Sequence, residues 1–501
     1  MRGKSILMPI AFLLSFMSGG AKAQADEQLT IVHFSPPTSG WAIESVDAYA
    51  MMRFGCLEGL TAFDKEQKLI PWLAESWEQV DDKKWRFKLR QGVVFQDGSP
   101  FNADAVVTAF NHVLAAKVPA RSLNRTVVST VGKIDDRTVE IVTQANNPLL
   151  PLYLTTPSAG VLSPKAYTGE LTNPFGTCTG PFTFAGETAK QKLNVVRNDA
   201  YWGDKAKIAG AQIRFIVDPA TRATQVRSGE ADLVMELPVA VAGRLRSASN
   251  VELVVAPISR VQSMIFNTKK APFDNALVRR AVQRAVDVNL VAKGLYEGLA
   301  DPATGPFAPG QPWRAEDRTP VAFDLDGAKA LLKEAGIDPA SITIDLAVAN
   351  DFPEFVDMAV VVQQSLKALG FNAEIRGTNY AGLEADLLGG KFDMTVMSRN
   401  ILTDVRDPIA FLKSDLACGG SFNVGQVCIP ELDALIKSAE VAVAESERYA
   451  IYQKIDRYLQ DEAIQLFLVY VKQIDARNKK LSGYAVDPVG FKLLTPAITL
   501  N

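Results

Sequence analysis

The chain has 501 residues, 48% of them hydrophobic, with 53 basic against 56 acidic side chains. That length and apolar content support two or three packed cores and exclude a disordered chain. The near balance of charge excludes the basic groove that a polyanion such as nucleic acid requires.

In chain order, the first element is a leader. Arg2 and Lys4 precede the apolar run Ile6 to Met17, and Ala21-Lys22-Ala23 has the small-residue pattern of a cleavage site, so residues 1–23 are expected to be a removable signal peptide. The run is shorter than the about 20 apolar residues that span a bilayer, and no Cys follows the cleavage point, so neither a membrane anchor nor a lipid anchor is expected. Removing Arg2, Lys4 and Lys22 leaves 50 basic against 56 acidic side chains, a mildly acidic, freely soluble chain.

From Leu29 to about Val255 the chain reads as short strands and turns. LTIVHF opens the series. WRFKLR (85 to 90) alternates Trp85, Phe87 and Leu89 with Arg86, Lys88 and Arg90, the pattern of a half-buried antiparallel edge. A second run, Val93 to Phe95, is expected to be a strand ending at the Asp97-Gly98 turn, and Asn102 to cap a helix that starts at Ala103. TVEIVTQ, GPFTFAGE, KLNVVRN and AQIRFIV continue the strands. From about Pro272 the period changes, with helices expected in residues 275–295, in DGAKALLKEAGI and in 353–370. Strands in SITIDLAVA, FNAEIRG and DMTVMS alternate with these helices, which implies crossover units on a largely parallel sheet. Long helices from Pro430 to Glu462 and the strand IQLFLVYV follow, and the extended pieces after Asp475 suit a tail that returns to the first half.

All four cysteines lie after the leader. Cys418 and Cys428 bracket a short loop, and their disulfide would stabilise by roughly 3 kcal/mol. Cys56 and Cys178 are available to each other, although four cysteines allow three connectivities. A zinc site is the competing reading, but there is no C-x-x-C and the only histidines are His33 and His112, so no metal and no cofactor is expected. No G-x-S-x-G, H-E-x-x-H or phosphate-cradling Gly loop is present, which weighs against a secreted hydrolase.

Several phrases in order, CLEGLTAFD (56 to 64), PWLAESWE, WRFKLRQGVVFQDGSPFNADAVV, TGPFTF, VRNDAYWG, VDPATRATQVRSGEADL and FNTKKAPFDNALVRRAV, together resemble the periplasmic substrate-binding proteins for peptides and nickel, family 5. The resemblance covers nearly the whole mature chain. It implies an α/β, two-lobed Venus-flytrap fold, type II-like, with a discontinuous lobe one that carries an extra β-rich subdomain. On that pattern the expected divisions are 24–264 for lobe one, 265–474 for lobe two and 475–501 for the return to lobe one. The resemblance also implies a non-enzymatic, monomeric periplasmic receptor that hands a small-molecule ligand to the membrane permease of an ABC importer.

Site residues follow from the same resemblance. In RNILTDVRDPIAF, Asp404 occupies the place of the acid that holds a ligand's amino group; the alternative is that it caps a turn. Arg399 and Arg406 are either forks for a ligand carboxylate or solvated surface charges. The loop HFSPPTSGW borders the cleft in this family, making Ser35, Thr38, Ser39 and Trp41 contact candidates, with core packing as the other reading of Trp41; Tyr49 follows on the next helix. YLTTPSAGVLSP lacks the Arg, and the loop from Ala417 to Ile429 lacks the His, that nickel-type relatives carry. A short peptide or peptide-like zwitterion is therefore expected ahead of a metal chelate, with a chaperone or signalling receptor as a further reading.

Overall fold

The computed structural model describes residues 28–501 except positions 39, 65, 66, 121, 170, 189, 403 and 404. The leader and the site candidates Ser39 and Asp404 lie outside the described residues. Among the described residues no helix is long and apolar enough to cross a membrane.

The alternating segment forms the strand Lys84–Leu89, but in the interior of a sheet rather than at its edge. It pairs on one side with Ala74–Asp81 and on the other with Thr138–Thr143, and Val128–Asp135 completes four antiparallel strands. Trp85, Phe87 and Leu89 enter the same core as Val106 and Phe110 of the helix Ala103–Leu114. On the open face Arg86 pairs with Glu140 of the neighbouring strand at 3.2 Å, so a basic residue is compatible with a central position. The second strand of the expected hairpin does not form. Val93 and Phe95 are buried as loop, with one bridge from Val94 to Pro100. Asn102 does cap the helix, accepting from the Ala105 amide at 3.1 Å.

The ordered phrases converge on one buried carboxylate. Glu58 accepts from Trp72 Nε1 and Tyr201 OH on one oxygen, both at 2.8 Å, and from Thr179 Oγ1 at 2.8 Å and Trp202 Nε1 at 3.0 Å on the other. Four neutral donors saturate an acid that forms no salt bridge among the described residues; burial pushes its pKa up. The neighbouring Cys56–Cys178 disulfide, with Cα atoms 5.3 Å apart, ties the same segments together, and Cys418–Cys428 is also formed, at 4.2 Å.

A mixed sheet of eleven strands runs through the whole molecule. Its first part contains Phe182–Thr188, Lys192–Arg197, Gly210–Phe215, Gln28–His33 and Leu233–Val234 in that spatial order. Its far part contains Met394–Asn400, Thr343–Ala349 and Asn372–Thr378, whose mutual pairings are parallel, as the alternation of strands and helices implied. Two long antiparallel strands, Val251–Phe266 and Gln465–Asn478, join the parts. Their ladder breaks between Pro257 and Val261, opposite Tyr470–Lys472; Pro257 has no amide hydrogen to donate. The helical stretch 275–295 is two helices, Ala276–Ala285 and Val288–Tyr296, because Asp287 caps the second at Asn289 and Leu290.

The cores follow the two ends of the sheet. One gathers Leu29, Ile31, Phe54, Phe87 and Phe182 with Leu481, Leu493 and Ile498. The other gathers Met264, Phe266, Val282, Leu346, Val362 and Leu466. A third joins Leu149, Val489 and Phe491 to Ile401, Leu402, Phe411 and Tyr452.

Candidate functional site

At the broken ladder, a cavity of about 540 Å3 opens between the loop after the first strand and the residues Arg260 and Asn400 of the far part of the sheet. That volume is in the range of small-molecule sites, roughly 300–1,000 Å3. Ser35 and Tyr49 line it; Tyr49 also meets Phe491 edge to face at 5.6 Å.

The cavity carries both signs of charge. Arg260 points from the broken ladder with one long contact, 3.5 Å to Ser398 Oγ, and burial lowers its pKa. Arg53, at the end of the helix Asp47–Arg53, is held by Gly490 O at 2.9 Å and His33 Nε2 at 2.8 Å. On the acidic side, Glu44 has a buried carboxylate oxygen, Oε2, with no hydrogen-bond partner among the described residues. Glu236 has a left-handed backbone, φ +50, unusual for a residue with a Cβ. Both of its backbone polar groups are pinned: the amide donates to Asp475 Oδ1 at 2.8 Å and the carbonyl accepts from Arg222 Nη2 at 2.8 Å. Buried Asp475, its pKa raised to about 6 by burial, thus holds a strained residue at the cavity wall.

His33 also lines this cavity, in a single proton state. Arg53 can only donate, so His33 Nε2 accepts and Nδ1 carries the proton toward Ser35 O at 3.0 Å. Burial first, and the Arg53 charge second, lower its pKa to about 3. Both ring nitrogens are therefore committed. His112 packs against Tyr167 with ring centroids 4.8 Å apart, well outside the cavity lining.

The other candidates are dispersed. Trp41 is buried between Phe175 and Phe184 and donates Nε1 to Glu187 at 3.1 Å, which is the packing alternative rather than cleft stacking. Thr38 is exposed and gives its amide to Asp47 Oδ1 at 2.8 Å, shaping the loop rather than lining the cavity. Arg399 forms a two-point pair with Asp415 at 2.5 and 2.8 Å and lies over Phe422, so its fork is occupied from within the chain. Arg406 is buried, bound to Asp487 at 2.6 Å, and borders two different cavities. Sequence reasoning missed Glu44, Arg53, Glu236 and Arg260. Only Arg260 carries a signal, a lone charge in the otherwise uncharged run VVAPISRVQSMIF.

Residues 68–423 match the profile described as bacterial extracellular solute-binding proteins, family 5 middle. The chain is 26% identical to di/tripeptide-binding protein 2 of Pseudomonas aeruginosa, over 98% of this chain and 98% of that one. It is 27% identical to the nickel-binding periplasmic protein of Escherichia coli, over 87% of each. Its fold is that of the periplasmic binding protein DppA of Helicobacter pylori in complex with the peptide STSA, with a TM-score of 0.76 and 22% identity over 95% of this chain and 98% of that one. With more than half of its length under that profile, the chain belongs to the bacterial extracellular solute-binding proteins of family 5.

Proposed function

We propose that the protein is the periplasmic receptor of an ABC importer, capturing a short peptide or peptide-like zwitterion in the 540 Å3 cavity and presenting it to the permease. The observation that carries this reading is the cavity's pairing of an unpartnered acidic oxygen, on Glu44, with an under-partnered guanidinium, on Arg260. A zwitterion satisfies both, its ammonium on Glu44 and Glu236 and its carboxylate on Arg260. The di/tripeptide-binding relative, similar over 98% of this chain, supports the same ligand class. Metal held directly by imidazole is disfavoured, since both nitrogens of the one histidine in the lining are engaged.

The lobes are taken as 24–264 with 475–501, and 265–474, acting as a monomer. They swivel where the long-strand ladder breaks between Pro257 and Val261. Asp404 is a further amine ligand in this reading. Titration calorimetry with dipeptides and tripeptides tests it: Arg260→Ala and Asp404→Ala should each weaken binding by about 2 kcal/mol or more. N-acetylated peptides should lose what Glu44→Gln loses. Wild-type protein that ignores N-acetylation, or Arg260→Ala with full affinity, overturns the assignment.

A further inference from the structure

We infer a second binding site, separate from the zwitterion cavity, in which Arg406 receives the carboxylate of a molecule with an aromatic body. Arg406 is only 8% exposed, yet two of its three guanidinium nitrogens, Nε and Nη1, have no hydrogen-bond partner among the described residues. The third, Nη2, takes Asp487 Oδ1. The other oxygen of Asp487 is taken by the backbone amides of Phe491 at 2.7 Å and Lys492 at 3.0 Å, so Asp487 meets Arg406 at one point only. Three other acids of the two cavity linings, among the described residues, are engaged. Asp407 is bound by Arg448 and Tyr452, Glu445 takes the Tyr449 hydroxyl, and Glu58 is saturated by four donors. Asp204 lines the smaller adjoining cavity, where Lys492 adds a second cation that donates to Phe63 O at 2.8 Å. A guanidinium shut away from water with two unmet donors calls for an acceptor from outside the chain.

The space beside it says what carries that acceptor. Arg406 stands against the ring of Phe63, 4.4 Å from its centroid, and the two form the partition between cavities of about 330 and 840 Å3. The larger one has Trp77 and Trp85 of the four-stranded sheet on one wall and Trp313 and Tyr449 on the other. The indole N–H groups of Trp85 and Trp313 are spent on Asn147 O and Gln311 Oε1, at 3.2 and 3.1 Å. Ring surface therefore lines the space beside Arg406, and although Lys68 and the mutually engaged Asp407, Arg448 and Glu445 also border it, the stretch between the rings and Arg406 is complementary to an aromatic carboxylate. Neither Arg260 nor Glu44 lines this cavity, so the inference stands without the peptide reading.

The test uses the mature protein with 4-bromophenylacetate and its neutral counterpart 2-(4-bromophenyl)ethanol in titration calorimetry, and bromine anomalous scattering from soaked crystals. The carboxylate should bind at least about tenfold more tightly than the alcohol, with bromine among Trp77, Trp85 and Trp313. Arg406→Gln should remove the difference, whereas Arg260→Ala should leave it intact. Equal binding of the two probes by wild-type protein overturns the site without recourse to any variant. So does a bromine signal confined to the Arg260 cavity, or a preference that survives Arg406→Gln in a folded protein. A failure of peptide binding in Arg260→Ala, with the carboxylate preference kept, bears on the first cavity alone.

Discussion

Two buried groups show how single residues set the chemistry of this chain. Glu58 holds together three aromatic side chains contributed by segments far apart in sequence, with every carboxylate lone pair in use. Glu58→Gln replaces one acceptor with an NH2 that faces two donors, and should lower unfolding stability by about 2–3 kcal/mol in urea; an unchanged midpoint would contradict the saturated network. His33 makes a pH prediction. Its folded pKa is about 3 against 6.5 for the free side chain, so its contribution is complete above pH 6.5 and is lost as pH falls from 6.5 toward 3. Buried Asp456 and Asp475, both raised to about 6, act in the opposite sense: their contribution is complete below pH 3.8 and is lost as pH rises through 6. Comparing His33→Gln with wild type isolates the histidine. The variant should lose less thermal stability between pH 7 and pH 4.5, by about a few degrees in Tm, and parallel curves would refute the assignment.

At the level of elements, the strands and helices were largely legible because period and capping are local signals. Asn102 and the alternation in 85–90 each predict what forms, whereas Asp287 caps the second of two helices in 275–295, where the expectation is a single helix running through it. Pairing was not legible. The same alternation fits an edge or a central strand, and Lys84–Leu89 can be central with Arg86 paired to Glu140 on the neighbouring strand. Of the site candidates, Ser35 on the loop after the first strand and Tyr49 on the following helix line the cavity. Trp41 and Arg399 carry the right chemistry for a cleft, but their partners, Glu187 and Asp415, lie 146 and 16 residues away and give no sign in the local sequence. Glu236 escaped for a deeper reason: its role comes from a strained backbone held by Asp475, which is 239 residues distant. Asp475→Asn keeps the buried shape but weakens that hold, and should reduce peptide affinity by about 1 kcal/mol. Binding unaffected by this change would detach Glu236 from the cavity's design.

For the whole molecule, the proposed swivel at the broken ladder implies a compaction on binding that scattering can measure. Saturating peptide should reduce the radius of gyration, and the reduction should vanish in Arg260→Ala at the same concentration. The two disulfides differ in reach. Cys56–Cys178 closes 122 residues and Cys418–Cys428 closes 10. Chain entropy then makes removal of the longer bridge the more damaging by about 2 kcal/mol, which paired Cys→Ser variants in urea can compare directly.

Leu481, Leu493 and Ile498 sit in the same packed interior as Leu29 and Ile31. A growing polypeptide therefore cannot finish its opening half early: the pieces that seal it are the last to be made. The unfinished half keeps part of its greasy surface open until residues 481–498 have been made, so its sealing waits on a distant downstream segment.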